Sequence, residues 1–427
     1  MTKRNNKKIL KKYEVVIIGA GPAGLAAVLG AKDNGAEKIL LIDRHKWLGG
    51  LLQQCIHPGF GLKRYKLELT GPEYAHRNLS EIKDYDINFL LDTTVLDITR
   101  DKRITLINTE LGIEEVESKS VIFAMGCRER TRGNINIPGF RPAGVFTAGT
   151  AQRLMNIDGL KVGNKIVILG SGDIGLIMAR RCTIEGAKVE AVIEILDRPS
   201  GLRRNVVQCL EDFNIPLFLN HTITFIKGKE RIEGIKFTRI NKSFQCISKS
   251  ERFIECDTLL LSVGLIPEIE LLNPAGIKID PRTGGPFVDN LMQVSLEGFF
   301  ACGNLVQVYD LADYASIDGY QAGKNAALFS QGKIAKGRKK VILSPGKGIK
   351  SIVPQTADTS IEAVDSNIYI RVTEYLDNPR FIFKNSKDIV FEKKLPYAIP
   401  SEMVVLSLNK NIFKQNSDEI IEIEVVS

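Results

Sequence analysis

Two short glycine-rich segments, 151 residues apart, carry residue types that bind phosphate. The first reads GAGPAG and contains Gly19, Gly21, Pro22, Ala23 and Gly24; the second reads GSGDIG and contains Gly170, Gly172 and Gly175. Each has an acid 24 residues beyond its first glycine, Asp43 and Glu194. In such a device the first glycine permits a tight turn and the second removes the side chain that would block a pyrophosphate. The third lets the next helix pack closely on the sheet. The helix N-terminus offers N–H groups and a partial positive charge to the phosphates, and the acid reaches the adenosine ribose hydroxyls. One copy is a weak signal. Two copies, each with its acid, predict two bound dinucleotides, and two dinucleotides side by side predict hydride transfer between them.

These residues need a strand before each turn and a helix after it. Val15 to Ile18 and Ile166 to Leu169 are apolar runs that read as buried strands leading into the turns. Second strands, Lys38 to Ile42 and Lys188 to Ile193, end at the two acids. The basic start followed by the apolar stretch Val15 to Ala31 also has the outline of a signal peptide. Its glycines, its proline and its continuation into a second strand ending at Asp43 speak against that reading.

At 427 residues the chain has the length of two to four domains, and 44% hydrophobic content suffices for real cores. No apolar stretch of transmembrane length is present in the sequence. The net charge of +8 owes much to six basic residues within positions 1–12, a segment expected to be a solvated, disordered tail rather than a nucleic-acid or lipid contact. Seven cysteines without a CxxC pair, and four dispersed histidines, predict a reduced, cytoplasmic protein with neither a disulfide framework nor a metal site.

Strand patterns are expected at Ile87 to Leu91, Val95 to Thr99, Ile104 to Asn108, Ile113 to Glu117 and Ser120 to Met125, the last ending at Gly126. A second buried run, Asp257 to Val263, ends at Gly264, and GFFACGN (298–304) opens a helical pattern from about Leu311 to Phe329. The expected fold class is α/β, with two Rossmann-like dinucleotide-binding domains, the second inserted in the first. The boundaries are 13–151 with 266–331 for a split first dinucleotide-binding domain, 152–265 for the second and 332–350 for a linker. Short alternating runs in 351–427 predict a small antiparallel β-sandwich-like domain, either a docking module for another subunit or a passive cap.

The ordered set GAGPAG, FAMGCRERTRGNINIPG, GSGDIG, LLLSVGLIP and GFFACGN resembles the glutathione-reductase-like, or pyridine nucleotide-disulfide oxidoreductase, superfamily over about residues 13–330. GGLLQQCIHPGFG, ELTGPEYAHR and CGNLVQVYDLADYAS resemble a branch similar to the flavin subunits of opine oxidase and cyanide synthase, often grouped with anaerobic glycerol-3-phosphate dehydrogenase. The resemblance implies that Gly19, Gly21, Gly24 and Asp43 hold FAD and that Gly49-Gly50 line its flavin side. It also implies that Ala124 and Gly126 form the crossover from the FAD domain and that Gly303 and Asn304 contact the ribityl-pyrophosphate. Asn304 stands where the family usually has Asp. Asp310 or Asp313 would cap the next helix, whose N-terminus would stabilise reduced flavin.

Disulfide reductases of the superfamily use two cysteines, and here only Cys55 follows Gly49-Gly50. Cys55 is therefore a candidate for sulfenic acid or flavin-adduct chemistry with His57 lowering its pKa, or else a packed loop cysteine. A carboxylate at Glu194 would repel a 2′-phosphate by roughly 2–3 kcal/mol, favouring NAD(H). Arg198, Arg203 and Arg204 could reverse that, so NADP(H) stays open. No acid or base catalyst is named; Glu73, Tyr74, His76 and Arg128-Glu129-Arg130 are the polar groups to inspect. The expected activity is hydride transfer between nicotinamide and FAD, with electrons passing to or from a small acceptor or a partner dehydrogenase subunit. The alternatives are a single-cysteine peroxide or disulfide reductase and a noncatalytic flavin-bearing subunit, with residues 351–427 as the docking surface of a hetero-oligomer.

Overall fold

Apolar runs too short for a helix and buried on both faces become parallel strands in both halves of the chain. The computed structural model describes residues 11–335, 337–359, 366–408 and 419–426. In chain order the first stretch gives β1 (Lys11–Ile18), α1 (Pro22–Asp33), β2 (Ile39–Ile42), α2 (Gly71–Ile82), β3 (Asn88–Leu90), β4 (Thr93–Ile98), β5 (Arg103–Asn108) and β6 (Gly112–Phe123). Next come β7 (Val145–Thr147), α3 (Ala148–Asn156), β8 (Lys165–Leu169), α4 (Asp173–Ile184), β9 (Lys188–Ile193), α5 (Arg203–Cys209) and β10 (Leu217–Phe218). A hairpin layer of β11 (His221–Lys227), β12 (Gly234–Arg239) and β13 (Arg252–Glu255) precedes β14 (Thr258–Leu261).

The chain then returns through β15 (Phe299–Ala301) and α6 (Ala312–Ser330). It ends with β16 (Lys340–Pro345), β17 (Ile349–Val353), β18 (Thr356–Asp358), β19 (Ser366–Val372), β20 (Arg380–Lys384), β21 (Ile389–Lys394), β22 (Val404–Leu408) and β23 (Ile420–Val426).

The chain divides into two units, one holding residues up to Cys127 and from Pro267 onward, the other Arg128–Ile266. In the first, the sheet order is β3-β2-β1-β6-β5-β4, with β15 also on β6. The pairs β1/β2, β1/β6, β2/β3 and β6/β15 are parallel, and β4/β5 and β5/β6 antiparallel. The two strands expected at 113–117 and 120–125 are one strand, β6, because its first half is needed by β5 and its second half by β15. Strand β1 begins at Lys11, pairing Lys11 and Lys12 with Val116 and Glu117, so the tail expected over 1–12 loses its last two residues to the sheet. Residues 1–10 lie outside the described residues.

The second unit carries an all-parallel sheet in the order β7-β14-β8-β9-β10. Its boundary lies at 127/128 rather than 151/152, because β7 pairs with β14 and brings residues 128–151 with it.

The C-terminal strands form two sheets, β18-β16-β23-β20-β21 and β17-β19-β22, over one apolar core that includes Phe381, Phe383, Ile368 and Ile421. The sandwich is not purely antiparallel: β16 and β23 are parallel. Nor is 332–350 a bare linker, since it supplies β16 and places Arg338 in a buried ionic cluster. Arg338 pairs with Asp358, its Nη2 lies 3.1 Å from Asp289 Oδ2, and Lys340 Nζ lies 2.7 Å from the same oxygen. Breaking one partner of so buried a cluster costs about 3–5 kcal/mol, so it holds the sandwich to the rest of the first unit.

Candidate functional site

In the first unit the predicted residues converge on one turn. Gly19 has φ +104°, and a Cβ there would stand 2.4 Å from the Ala124 carbonyl oxygen. Gly24 is as constrained: its Cβ would lie 1.8 Å from the Gly19 oxygen. Gly21, by contrast, faces open space, with no atom within 4 Å of an ideal Cβ, which is the room a pyrophosphate needs. Gly49 N–H donates to Ala20 O at 2.9 Å, and a Cβ on Gly50 would stand 3.0 Å from Gly21 Cα, so Gly49-Gly50 lies against the turn. A Cβ on Gly303 would meet Ala23 Cβ at 2.7 Å, which brings the GFFACGN segment to the same helix start. The Asn304 carboxamide oxygen accepts from Tyr309 N–H at 3.2 Å, and Gly126 is open.

Asp43 is 7% exposed. Its Oδ2 accepts from Ala20 N–H at 2.6 Å and its Oδ1 from His45 N–H at 2.8 Å. Each oxygen keeps lone-pair capacity for a ribose hydroxyl. Helix α1 starts with no acid in its first turn and no side-chain cap, leaving its N–H groups to an anion. The open face at Gly21, the uncapped helix start and the half-engaged acid fit the adenosine pyrophosphate of FAD.

The second unit repeats the geometry with different chemistry. Gly170 N–H donates to Ile193 O at 2.7 Å, as Gly19 N–H donates to Ile42 O at 2.8 Å. Gly170 and Gly175 are closed off by Ser262 O at 2.0 Å and Gly170 O at 2.5 Å, while Gly172 has no atom nearer than 3.6 Å. Glu194, 3% exposed, is heavily engaged. Its Oε2 accepts from Ser171 N–H at 2.9 Å, the Ser171 hydroxyl and the Ser200 hydroxyl at 3.0 Å, and its Oε1 accepts from Leu196 N–H at 3.0 Å. Asp173 stands in the first turn of α4, and Gly175 N–H already donates to Ser262 Oγ at 3.1 Å. Arg198 pairs with Asp197 and Arg203 with Glu211, whereas Arg204 is exposed on α5. Gly264, with φ +100°, accepts from Arg130 N–H.

Cys55 takes the packed position. It is buried, its Sγ donates to Leu51 O at 3.3 Å, and burial pushes its thiol up to about 12. The expected lowering by His57 is reversed, because desolvation disfavours the thiolate. The His57 Nδ1 bonds to Pro58 O.

Neither Asp310 nor Asp313 caps α6. Asp310 pairs with Arg371 and accepts from Met403 N–H at 2.6 Å. Asp313, fully buried, accepts from the N–H groups of Gly61, Lys63 and Arg64 at 3.1, 3.1 and 2.8 Å, so it clamps the 61–64 loop. Three converging backbone donors outweigh the single donor a cap would offer. This carboxylate in the first turn also offsets the partial positive charge assigned to the α6 N-terminus.

Three of the remaining polar groups have structural partners. Glu73 closes a capping box with Thr70, the buried Tyr74 donates to Ser316 Oγ, and Glu129 accepts from Gly149 N–H. His76 is exposed. Sequence reasoning missed Ser200 and Ser262, which no local pattern marks; Ser171, inside GSGDIG, was in plain view. It also missed Asp313 as a loop clamp.

A protein-family model, pyridine nucleotide-disulphide oxidoreductase, matches residues 13–319. One subunit of the opine oxidase of Rhizobium meliloti is 26% identical over 351 residues, covering 74% of this chain and 62% of that protein. One subunit of the alkyl hydroperoxide reductase of Staphylococcus aureus is 26% identical over 324 residues, covering 74% of this chain and 58% of that protein. The chain thus spans about three fifths of the length of these relatives. Among solved structures, T. acidophilum thioredoxin reductase shares the fold with a TM-score of 0.61 at 24% identity, covering 75% of this chain and 99% of that one. Residues beyond 319 lie outside the family match, and among the described residues no helix is long and apolar enough to cross a membrane. The chain belongs to the pyridine nucleotide-disulphide oxidoreductase family, whose members are FAD- and NAD(P)-dependent oxidoreductases.

Proposed function

We propose that this chain transfers a hydride between a nicotinamide nucleotide and FAD and exchanges the electrons with a small acceptor or a partner dehydrogenase subunit. Bound FAD supplies a centre that takes up a hydride and passes electrons on. Gly21 gives the pyrophosphate its room and the α1 N-terminus its donors, and Asp43 holds the adenosine ribose. Gly49-Gly50, Ala124, Gly126, Gly303 and Asn304 complete the FAD wall. In the second unit Gly172 and the α4 N-terminus receive the nicotinamide nucleotide, Gly170, Gly175 and Gly264 shape its turn, and Glu194 sits at the adenosine end.

The coenzyme is NADH in this reading. Glu194 disfavours a 2′-phosphate, and Arg198 and Arg203 are engaged by acids of their own. Two of the relatives above are subunits by name, and the sandwich beyond residue 331 is the surface offered to a partner. All seven cysteines are thiols, as suits the cytoplasm.

One observation carries the reading: each unit ends a parallel strand at a turn whose second glycine leaves room beside it, with no atom within 4 Å of an ideal Cβ on Gly21 and none nearer than 3.6 Å on Gly172. The test is an anaerobic titration of the purified yellow protein with NADH and, separately, NADPH. Bleaching of the flavin by NADH at lower concentration than NADPH is expected. Bound FAD that neither nucleotide bleaches would overturn the reading in favour of a noncatalytic flavin-bearing subunit.

A further inference from the structure

The two glycine turns have matching neighbours. A Cβ on Gly19 would stand 2.4 Å from the Ala124 carbonyl oxygen, and one on Gly170 would stand 2.0 Å from that of Ser262. A Cβ on Gly24 would stand 3.5 Å from Ala124 Cβ, and one on Gly175 would stand 2.9 Å from Ser262 Cβ. Two residues on, Gly126 and Gly264 have φ of +71° and +100°. Ser262 thus holds in the second unit the place that Ala124 holds in the first, and the difference between the two side chains is a hydroxyl.

That hydroxyl borders the room beside the turn. The nearest atom to an ideal Cβ on Gly172 is Ser262 Oγ at 3.6 Å, followed by Ser200 Oγ at 3.9 Å. Ser200 Oγ donates to Glu194 Oε2 at 3.0 Å, so its proton is spent. Ser262 Oγ accepts from Gly175 N–H at 3.1 Å, and among the described residues its own proton goes to no acceptor. Gly172 and Ser262 are both half-buried rather than sealed, which leaves the room open to a ligand. Asp173, the acid in the first turn of α4, is engaged by the start of α5: its Oδ1 accepts from Leu202 N–H at 2.8 Å and from Asn205 Nδ2 at 2.6 Å. A hydroxyl whose oxygen accepts from a helix N-terminus is polarised to give its own proton in a further hydrogen bond, and an anion is the strongest acceptor for it.

We propose that Ser262 binds the pyrophosphate of the nicotinamide nucleotide, its hydroxyl relaying the partial positive charge of the α4 N-terminus from Gly175 N–H to a phosphate oxygen. The proposal rests on the reading that the second turn receives that nucleotide. A side chain so placed recognises the diphosphate rather than the nicotinamide ring, so ligands that share the diphosphate and differ at the nicotinamide depend on Ser262 alike.

The test is calorimetric titration of the full-length, FAD-loaded protein with ADP-ribose and with NAD+, neither of which reduces the flavin. Saturable binding of both at one per chain is expected, and Ser262→Ala should weaken both by about tenfold or more. Without nucleotide, the melting temperature and flavin content of the variant should match the wild type, since alanine fills the same place in the first unit. A serine that served only to cap α4 would behave differently. Its removal would bare Gly175 N–H to the phosphate, and ADP-ribose would bind as well as before or more tightly. That result overturns the role of Ser262 and leaves the nicotinamide reading standing, whereas wild-type protein that takes up neither probe overturns both. A crystal grown with ADP-ribose decides the matter even where the variant is destabilised: Ser262 Oγ within about 3.2 Å of a phosphate oxygen is expected, and a separation beyond about 4 Å overturns the proposal.

Discussion

The two glycine turns share one backbone and differ in what they leave unsatisfied. At the first turn α1 opens without an acid, and Asp43 is held by two backbone donors only. At the second turn α4 opens with Asp173, a serine takes the Gly175 N–H, and Glu194 receives four donors, three of them on one oxygen. Groups already satisfied gain little from a ligand, because binding only exchanges one hydrogen bond for another. The first turn thus suits a cofactor that stays, the second a coenzyme that must leave after each transfer.

The sharpest way to break this comparison is at the third glycines. Gly24→Ala puts a Cβ 1.8 Å from a backbone oxygen, and Gly175→Ala one at 2.5 Å. Gly24→Ala should yield protein without flavin and destabilised by at least about 3 kcal/mol, as read by thermal melting. Gly175→Ala should keep its flavin. Next come the second glycines, where there is space for a side chain. Gly21→Val should fold yet lose FAD affinity by about 100-fold or more, whereas Gly172→Val should stay yellow and raise the KM for NADH about tenfold or more. Equal flavin loss in both would contradict the asymmetry.

Smaller effects probe the acids. Glu194→Gln should raise the kcat/KM ratio of NADPH to NADH about tenfold, and an unchanged ratio would remove Glu194 from coenzyme choice. Ser200→Ala, which strips one donor, should change the KM for NADH by no more than about fivefold. The smallest effect belongs to Cys55. With its thiol at about 12, it should resist iodoacetamide between about pH 6 and 9, and Cys55→Ser should alter flavin reduction by less than about twofold.

The turns, their flanking strands and both acids were legible because each requirement is local: a glycine φ, a helix start, a strand of fixed length. Helix α6 was expected over 311–329 and lies at Ala312–Ser330 for the same reason. The 127/128 boundary was not legible, since β7 is three residues long and its membership depends on which sheet has a free edge. Similarly, Lys340–Pro345 read as linker because basic and glycine residues surround it, yet tertiary pairing with β23 makes it a strand.

Residue type and spacing were enough to place two glycine turns and an acid beside each. They were not enough to say how those acids are used. Glu194 gains a further donor because Ser200 folds back onto it, and Gly175 is met by a serine 87 residues away. Cys55 is buried, which pushes its thiol up to about 12, and Asp318 is paired with a tyrosine 51 residues on. Desolvation and hydrogen-bond partners depend on distance in space, which residue spacing encodes only within one turn or one strand.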